Sequence, residues 1–543
     1  MKMLHIGLMI ISVLATAPTF GAKCKVDLNL KTFQNDSKAF MNARVQKRDE
    51  NCKVDNVFYF FAKDTNGSIG NKYVSIKDSY RANFCHTDKE TSQKICLKDV
   101  TPGRDVELGR APIESMDRAE NLVTGSLLVT NLFEMNEKKL EEGSLDIQPW
   151  SDWYWPIYVG QISYRFLDSK MQFEWEIAGR EGEEMWSWMI DWHSKNTPLM
   201  IDPNFLSPSE KYDMLVGDSD FTLTNYMLNT PKNYAKDGKV ASWMGICHGW
   251  APASYMVPRP SQAISVLAAD GETKLRFLPS ELKALVSQSW ATSSPRVKFV
   301  GARCNAVEPE MDENGRVLEK ECFDNNPGTW HMAIVNELGI NKKSFVMDAT
   351  FDSEVWNHPV TAYSYSYFNP ESMEEMPTLE KAIVDLNEYK SDKFKKYRSR
   401  DAVKVVGIVM EVEYLVETMP SASLYDGPVN DAHNTAYYVY DLELNADNEI
   451  VGGEWYSNKH PDFIWTPYED GKARSVVDGY IREKVTLDNL QSIKRLNQLA
   501  AYASRNGQPI GKIVEALVEK SAKKEIPVVV PYAGEIGGMD EQL

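Results

Sequence analysis

The chain has 543 residues, of which 43% are hydrophobic and 25% are charged, values ordinary for a globular protein that exclude wholesale disorder. The formal net charge of −18 argues against non-specific nucleic-acid binding, so no nucleic-acid partner is expected. A chain of this length predicts two or three domains.

Residues 1–22 have the pattern of a secretory signal peptide. Lys2 supplies the positive charge, residues 6–15 form an apolar core, and Ala17 and Ala22 are among the small residues that follow. The pattern predicts a protein that is secreted, or periplasmic or in the cell envelope, after removal of this segment. No other run is long and apolar enough to cross a membrane, so stable membrane insertion is not expected.

Export makes the seven cysteines informative, because cysteines of exported proteins usually form disulfides. Six of them fall into pairs that are near in sequence: Cys24 with Cys52, Cys85 with Cys96, and Cys304 with Cys322. Pairing by proximity is one of many connectivities. It leaves Cys247 without a disulfide partner.

The elements, taken in chain order, predict an α+β protein with four segments. After the signal peptide, residues 23–145 alternate short apolar runs with polar turns and end in a charged helical connector, which predicts a disulfide-stapled, mostly β domain. A core domain is expected at 146–467 and a helical extension at 468–543.

The core domain opens with a tryptophan-rich stretch at 150–192, interpreted as part of the hydrophobic core, with an aromatic groove for a peptide or sugar as the alternative. Ser207 and Glu210 form a capping box that predicts a helix through Val216. Further patterns predict helices at 279–290, 370–400, 486–504 and 509–523, strands at 330–337, 344–350 and 403–415, and a hairpin of 437–444 with 450–455.

Cys247 is the candidate nucleophile. Gly245 and Gly249 flank Cys247 and His248, and the small residues that follow, with Pro252, favour a helix that begins here. The dipole and unpaired N–H groups of a helix start favour the thiolate, which is the reactive form of cysteine. The alternative is a small buried side chain without a chemical role.

A thiolate nucleophile needs a base to take its proton and a group to orient that base. His331 and Asp348 lie on the predicted strands 330–337 and 344–350, and a hairpin centred between Gly339 and Ile340 would place their side chains on one face. This register predicts His331 as the base and Asp348 as its orienter, with Asp352 as the second choice of orienter.

The oxyanion of the reaction would be bound by the backbone N–H of Cys247 and a second donor. The indole of Trp243 is predicted for that role. Trp250 is the weaker choice because it lies inside the predicted helix.

Four blocks of sequence together resemble the elicitor-type transglutaminases of oomycetes and their bacterial relatives, within the papain-like superfamily. They are residues 206–213, the Gly245–Ala253 block, Trp330-His331 with Asn336, and Val355-Trp356-Asn357-His358-Pro359-Val360. The hairpin at 452–455 and residues 460–463 also resemble this family. In the oomycete proteins the Val-Trp-Asn block continues with glutamine, where this chain has His358.

The resemblance implies a papain-like transglutaminase core in which Cys247, His331 and Asp348 form the catalytic triad. It implies transfer of a protein glutamine's acyl group to a lysine or another amine, so the expected partners are proteins with accessible glutamine and lysine, including cell-envelope or host-surface proteins. Some animal transglutaminases need calcium, which leaves a calcium requirement open, and the sequence predicts no metal site.

Two other functions use the same residues differently. With water as the acceptor, the triad would give a glutamine deamidase or a cysteine peptidase. A third hypothesis is a non-enzymatic envelope binding protein that retains the fold.

Overall fold

The computed structural model describes residues 36–42, 117–123, 128–178, 182–303, 325–349, 354–456 and 460–522, with residue 34 and the short segments 62–63, 69–70, 85–87 and 94–96. The predicted signal peptide at 1–22 and four of the cysteines lie outside the described residues: Cys24, Cys52, Cys304 and Cys322.

Four short strands belong to the N-terminal part: β1 (Ala62–Lys63), β2 (Ile69–Gly70), β3 (Cys85–Thr87) and β4 (Lys94–Cys96). They form two antiparallel pairs, β1 with β2 and β3 with β4, and the register places Cys85 opposite Cys96. No disulfide is found among the described residues, so the disulfide-stapled domain remains a prediction.

An antiparallel ten-stranded sheet dominates the core, in the order β15-β14-β13-β10-β9-β16-β8 with β5, β11 and β12 alongside. Its strands are β5 (Glu142–Ser144), β8 (Val297–Gly301), β9 (Val346–Asp348), β10 (Asn357–Asn369), β11 (Glu374–Met376), β12 (Val384–Asp385), β13 (Lys404–Val416), β14 (Ala432–Leu444), β15 (Ile450–Trp455) and β16 (Phe463–Pro467). A separate hairpin joins β6 (Ile264–Leu267) to β7 (Lys274–Phe277). The predicted strand at 403–415 and the hairpin around 446–449 are confirmed.

The described residues form twelve α-helices. They are α1 (Ser37–Met41), α2 (Leu132–Glu137), α3 (Ser169–Ala178), α4 (Met185–Lys195), α5 (Pro208–Val216), α6 (Thr222–Asn229), α7 (Cys247–Met256), α8 (Pro279–Thr292), α9 (Pro327–Ile334), α10 (Leu379–Ala382), α11 (Leu496–Ser504) and α12 (Gly511–Ser521). The capping box of Ser207 and Glu210 begins α5 as predicted. The predicted helix at 279–290 is confirmed as α8.

Two helix predictions were wrong, the first because the segment is not one helix and the second in where the helix begins. The segment 370–400 forms β11, the single turn α10 and β12 instead of one helix, because its apolar residues pack along the edge of the sheet. The predicted helix at 486–504 begins only at Leu496, after a short 3₁₀ turn. The tryptophan-rich stretch lies in the core as interpreted, with Trp150, Trp153 and Trp155 buried.

The two faces of the central strands belong to different cores, because successive residues of a strand point to opposite sides. Val346, Phe463 and Trp465 pack together on what we call the front face. Met347 and Ile464, their neighbours along β9 and β16, pack on the back face with the tyrosines of β10 and β14.

Helix α7 lies against α8 at a distance that only glycine allows. A Cβ atom on Gly249 would stand 2.1 Å from the carbonyl oxygen of Ser287 and 2.6 Å from the Cβ of Ala291. Gly249 therefore sets how deeply α7, which begins at Cys247, sits in the core.

We expect Gly249→Ala to lower the free energy of unfolding by about 1–3 kcal/mol, because the added methyl group forces α7 away from α8. Chemical denaturation monitored by tryptophan fluorescence measures the change. Gly427→Ala is the matched control, since no atom lies within 4 Å of the added Cβ. Equal stability of the two variants would contradict this packing.

Candidate active site

Cys247 lies where the sequence predicts it, at the first position of α7, and only 3% of its surface is exposed. The loop before it is held by the backbone N–H of Ile246, which donates to the carbonyl of Tyr154 at 2.7 Å. A Cβ on Gly245 would stand 2.4 Å from the same carbonyl oxygen, so a glycine is required there. Pro252 lies inside the helix, not in its first turn.

The thiol of Cys247 faces the start of β10. The side-chain amide nitrogen of Asn357 donates to Sγ at 3.4 Å, and the carbonyl oxygen of Val355 lies 3.7 Å from Sγ. The amide of Asn357 is oriented by Trp465, whose indole N–H donates to Asn357 Oδ1 at 2.9 Å. Asn357 thus presents an N–H donor to the sulfur in a fixed direction.

Asp348 is the cross-strand neighbour of Asn357 on β9 and lies on the same front face. Its carboxylate oxygen Oδ1 accepts the backbone N–H of Trp356 at 3.2 Å, and its backbone carbonyl accepts the N–H of Asp462 at 3.2 Å. The structure therefore brings Cys247 and Asp348, two of the predicted site residues, to one end of the β9–β10 pair.

The surroundings of Cys247 hold it in the neutral thiol form. Burial raises its pKa to about 12, and the negative charges of Glu417 and Asp348 add to this, whereas the hydrogen bonds from Asn357 act in the opposite direction. Burial also raises the pKa of the Glu417 carboxyl group to about 7. The thiolate needed for nucleophilic attack is disfavoured in this conformation.

His331 does not lie on a strand, so the predicted hairpin was wrong. It lies in α9, and the chain continues as a π-helical turn at Val335–Ile340. The Asn326 side chain caps α9 by accepting the N–H of Gly328 at 2.7 Å, and Pro327 occupies the first helical position. Asn326 and Pro327 thus form a helix start.

The structure also does not bring His331 to Cys247. Nδ1 of His331 lies 2.8 Å from the hydroxyl of Tyr440, and its ring packs on Tyr365 with centroids 4.7 Å apart. Both tyrosines belong to the back-face core, whereas Cys247 contacts the front face. Burial lowers the pKa of His331 to about 3, so the imidazole is neutral.

The other histidines near the site have structural contacts. His248 Nε2 lies 3.4 Å from the carbonyl of Ala291, and His358 Nδ1 lies 3.0 Å from the carbonyl of Leu415. Within the described part of the chain, no histidine is hydrogen-bonded to Cys247.

Sequence reasoning missed Asn357 and Glu417. Asn357 stood within the Val-Trp-Asn block that carried the family resemblance, so a signal was present, but it received no role. Glu417 follows the strand β13 and had no local signal, because only the sheet brings it into electrostatic range of Cys247.

Trp243 lies four residues before the nucleophile, 9% exposed, with the guanidinium of Arg303 5.7 Å from the centre of its ring. Its predicted role as an oxyanion donor stays a prediction.

Among the described residues, no cluster of histidine, cysteine and acidic side chains could hold a metal ion. In the same part of the chain, no helix is long and apolar enough to span a membrane.

Comparison with known proteins identifies the family. The sequence model of the transglutaminase elicitor family matches residues 125–487. The chain belongs to the transglutaminase elicitor family. The crystal structure of the GP42 transglutaminase from Phytophthora sojae is similar with a TM-score of 0.42 and 21% sequence identity, over 68% of this chain and 95% of that one. No curated protein sequence matches the chain significantly.

The family membership confirms the resemblance derived from the four sequence blocks. The match begins before residue 146 and ends after 467, and the predicted domain boundaries stay predictions.

The high pKa of Cys247 predicts how the thiol reacts with iodoacetamide. We expect alkylation to speed up about tenfold per pH unit between pH 7 and 9 without reaching a plateau, because only the thiolate reacts and its fraction rises with pH below the pKa. Peptide mapping by mass spectrometry measures the rate at Cys247. The same peptide in denatured chain, with an ordinary thiol pKa near 9.0, is the control. A plateau below pH 8 in the native protein would refute the assignment.

Proposed function

We propose that the chain is a protein-glutamine γ-glutamyltransferase in which Cys247 is the nucleophile. The observation that carries the proposal is the position of Cys247 at the start of α7, with Sγ held by the amide of Asn357 beside Asp348, in a member of the transglutaminase elicitor family. A helix start provides N–H donors to the oxyanion, and its dipole acts against the burial that raises the pKa of the thiol.

The reaction proceeds in two steps. The Cys247 sulfur attacks the carboxamide carbon of a protein glutamine, the C–N bond breaks, and ammonia leaves with the proton of the thiol. A lysine amine then attacks the thioester, the C–S bond breaks, and the amine's proton returns to the sulfur. The product is an isopeptide crosslink.

Asp348 is the proposed proton carrier between sulfur, ammonia and amine. Of the two predicted partners of Cys247, Asp348 is the one that lies on the front face. Its position is fixed by the hydrogen bond from the backbone N–H of Trp356 and by its pairing with Asn357. The role of orienter that the sequence assigned to Asp348 thus becomes that of acid and base. Asn357 takes the orienting role, because its amide fixes the position of the sulfur.

The backbone N–H of Cys247 is the proposed first oxyanion donor. As the first residue of α7 it has no intrahelical acceptor, and the described part of the chain provides no other backbone acceptor for it. The Trp243 indole remains the proposed second donor.

The proposal extends to location and partners. The family membership and the pattern at 1–22 support an exported protein that acts on glutamine- and lysine-bearing proteins of the cell envelope or of a host surface. With water in place of the lysine amine, Asp348 would accept the proton of the water as it attacks the thioester, and the C–S bond would break to give glutamate and the free thiol. This reaction is the deamidase alternative.

A non-catalytic envelope protein is the second candidate. The neutral, buried thiol and the location of His331 on the back face favour it. The two candidates differ in whether Cys247 forms a product with glutamine.

Two substitutions test the assignment of roles. We expect Cys247→Ala to abolish incorporation of a fluorescent amine into a glutamine-bearing protein. Asp348→Asn should lower incorporation by at least about 100-fold, the usual effect of losing a general acid or base. The same variant should speed alkylation of Cys247 modestly, because burial still raises the pKa of the thiol and only the smaller contribution of the Asp348 charge is gone.

His331→Gln is the control that separates this site from the triad predicted by sequence. We expect it to keep incorporation within a few-fold, because its ring contacts Tyr440 and Tyr365 and not the sulfur. Thermal melting checks that each variant is folded. A folded His331→Gln variant as inactive as Cys247→Ala would restore the predicted triad and overturn the role given to Asp348.

A further inference from the structure

The residues 36–42, which we call the N-terminal segment, pack directly against the candidate active site. They comprise Asp36, whose carboxylate accepts the N–H of Ala39 at 2.9 Å, the short helix α1, and Asn42. The segment lies outside residues 125–487, which the family model matches.

The aromatic ring of Phe40 anchors the N-terminal segment in an apolar pocket. It makes edge contacts with Phe299 and Phe463, with centroids 6.1 Å and 5.9 Å away, and is fully buried on the front face. The guanidinium of Arg303 donates to the carbonyl oxygen of Phe40 at 2.7 Å. The pocket thus binds both a large ring and the backbone that carries it.

Met41 brings the N-terminal segment to the nucleophile. The amide nitrogen of Asn357 lies 3.4 Å from Sδ of Met41 and 3.4 Å from Sγ of Cys247. Because both sulfur atoms lie 3.4 Å from the same nitrogen, the distance between them is at most twice 3.4 Å. The side chain of Met41 is 1% exposed and lies buried beside the thiol.

Asn42 presents a primary carboxamide to the loop before the nucleophile. Its Nδ2 donates to the carbonyl of Gly245 at 3.0 Å, and its Oδ1 accepts the N–H of Gly245 at 2.9 Å. Such a pair of bonds recognises a carboxamide specifically, because a carboxylate lacks the donor. The protein thus has a carboxamide-binding position two residues from Cys247.

We propose that the N-terminal segment occupies the acyl-donor site as an internal pseudo-substrate, and that the same surface binds protein segments with a large apolar side chain two residues before the reactive glutamine. This inference rests on the proposed function. Asn42 is one methylene group shorter than glutamine and its carboxamide is bound to Gly245, so the N-terminal segment binds without reacting. Substrates gain access when the segment is displaced or removed.

The first test measures access to the thiol in the full-length protein. We expect Phe40→Ala with Asn42→Ala to speed alkylation of Cys247 about tenfold at constant pH, because the cover over the sulfur is released. Asn42→Asp is the milder variant. It retains Phe40, but its carboxylate lacks the N–H donor of the amide and carries a negative charge. Phe173→Ala, at an exposed phenylalanine, is the matched control and should leave the rate unchanged.

The second test uses the peptide Asp-Ser-Lys-Ala-Phe-Met-Asn, which has the sequence of the N-terminal segment. It should protect Cys247 of the substituted protein from alkylation, whereas the peptide with alanine in place of Phe and Asn should not. Unchanged alkylation in both substituted proteins, each folded by circular dichroism, would overturn the proposal. So would equal protection by the two peptides.

Amine incorporation separates this inference from the proposed function. If both hold, the substituted proteins incorporate amine faster by the same factor as they are alkylated. Faster alkylation and selective protection by the peptide, without any amine incorporation, would support the inference that the N-terminal segment occupies the site. The same result would contradict the proposed transferase function.

Discussion

The side-chain amide of Asn357 is the contact on which the site depends. Its oxygen is held by the Trp465 indole of β16, and its nitrogen faces the sulfur of Cys247 at the start of α7. One amide therefore joins the sheet to helix α7, which begins at Cys247. The position of that helix is in turn set by Gly249, which lets α7 approach the backbone of α8, and by Gly245, which lets the preceding loop contact Tyr154.

The same packing that fixes the thiol also disfavours its thiolate form. A buried thiol near the carboxylates of Glu417 and Asp348 stays protonated, because a thiolate there would lose solvation and meet negative charge. Part of the cover over this site is the N-terminal segment with Phe40 and Met41. This segment contacts the core through the ring of Phe40, the side chain of Met41 and the carboxamide of Asn42. Its Lys38 also donates to Gln161 Oε1 at 3.0 Å.

Local signals in the sequence were enough to predict the helix start at Cys247 and the long strands of the sheet. Glycine on both sides of Cys247 indicated close packing around a helix start, and the β-branched run 403–415 and the polar turn at 446–449 identified the long strands of the sheet. The capping box at Ser207 fixed a helix start in the same way. Each of these features depends on residues within a few positions of one another.

The partners of Cys247 could not be predicted in this way. His331 was assigned to a strand because its apolar neighbours fit either period, although Asn326 and Pro327 gave the signal of a helix start. Which face of the sheet a residue occupies depends on the pairing of β9, β10 and β16, and this pairing is non-local. Glu417 and Met41 reach the sulfur only through such long-range contacts.

The central claim is that Cys247 forms a thioester with glutamine, and trapping this intermediate tests it most directly. The full-length protein, with Asn42→Asp to open the site, is mixed with a glutamine peptide without amine, quenched in acid and weighed intact by mass spectrometry. The account predicts a mass gain equal to the peptide minus one ammonia, located on Cys247 and absent from a Cys247→Ala version. An unmodified Cys247, with the thiol reacting freely with iodoacetamide in the same sample, would contradict the account.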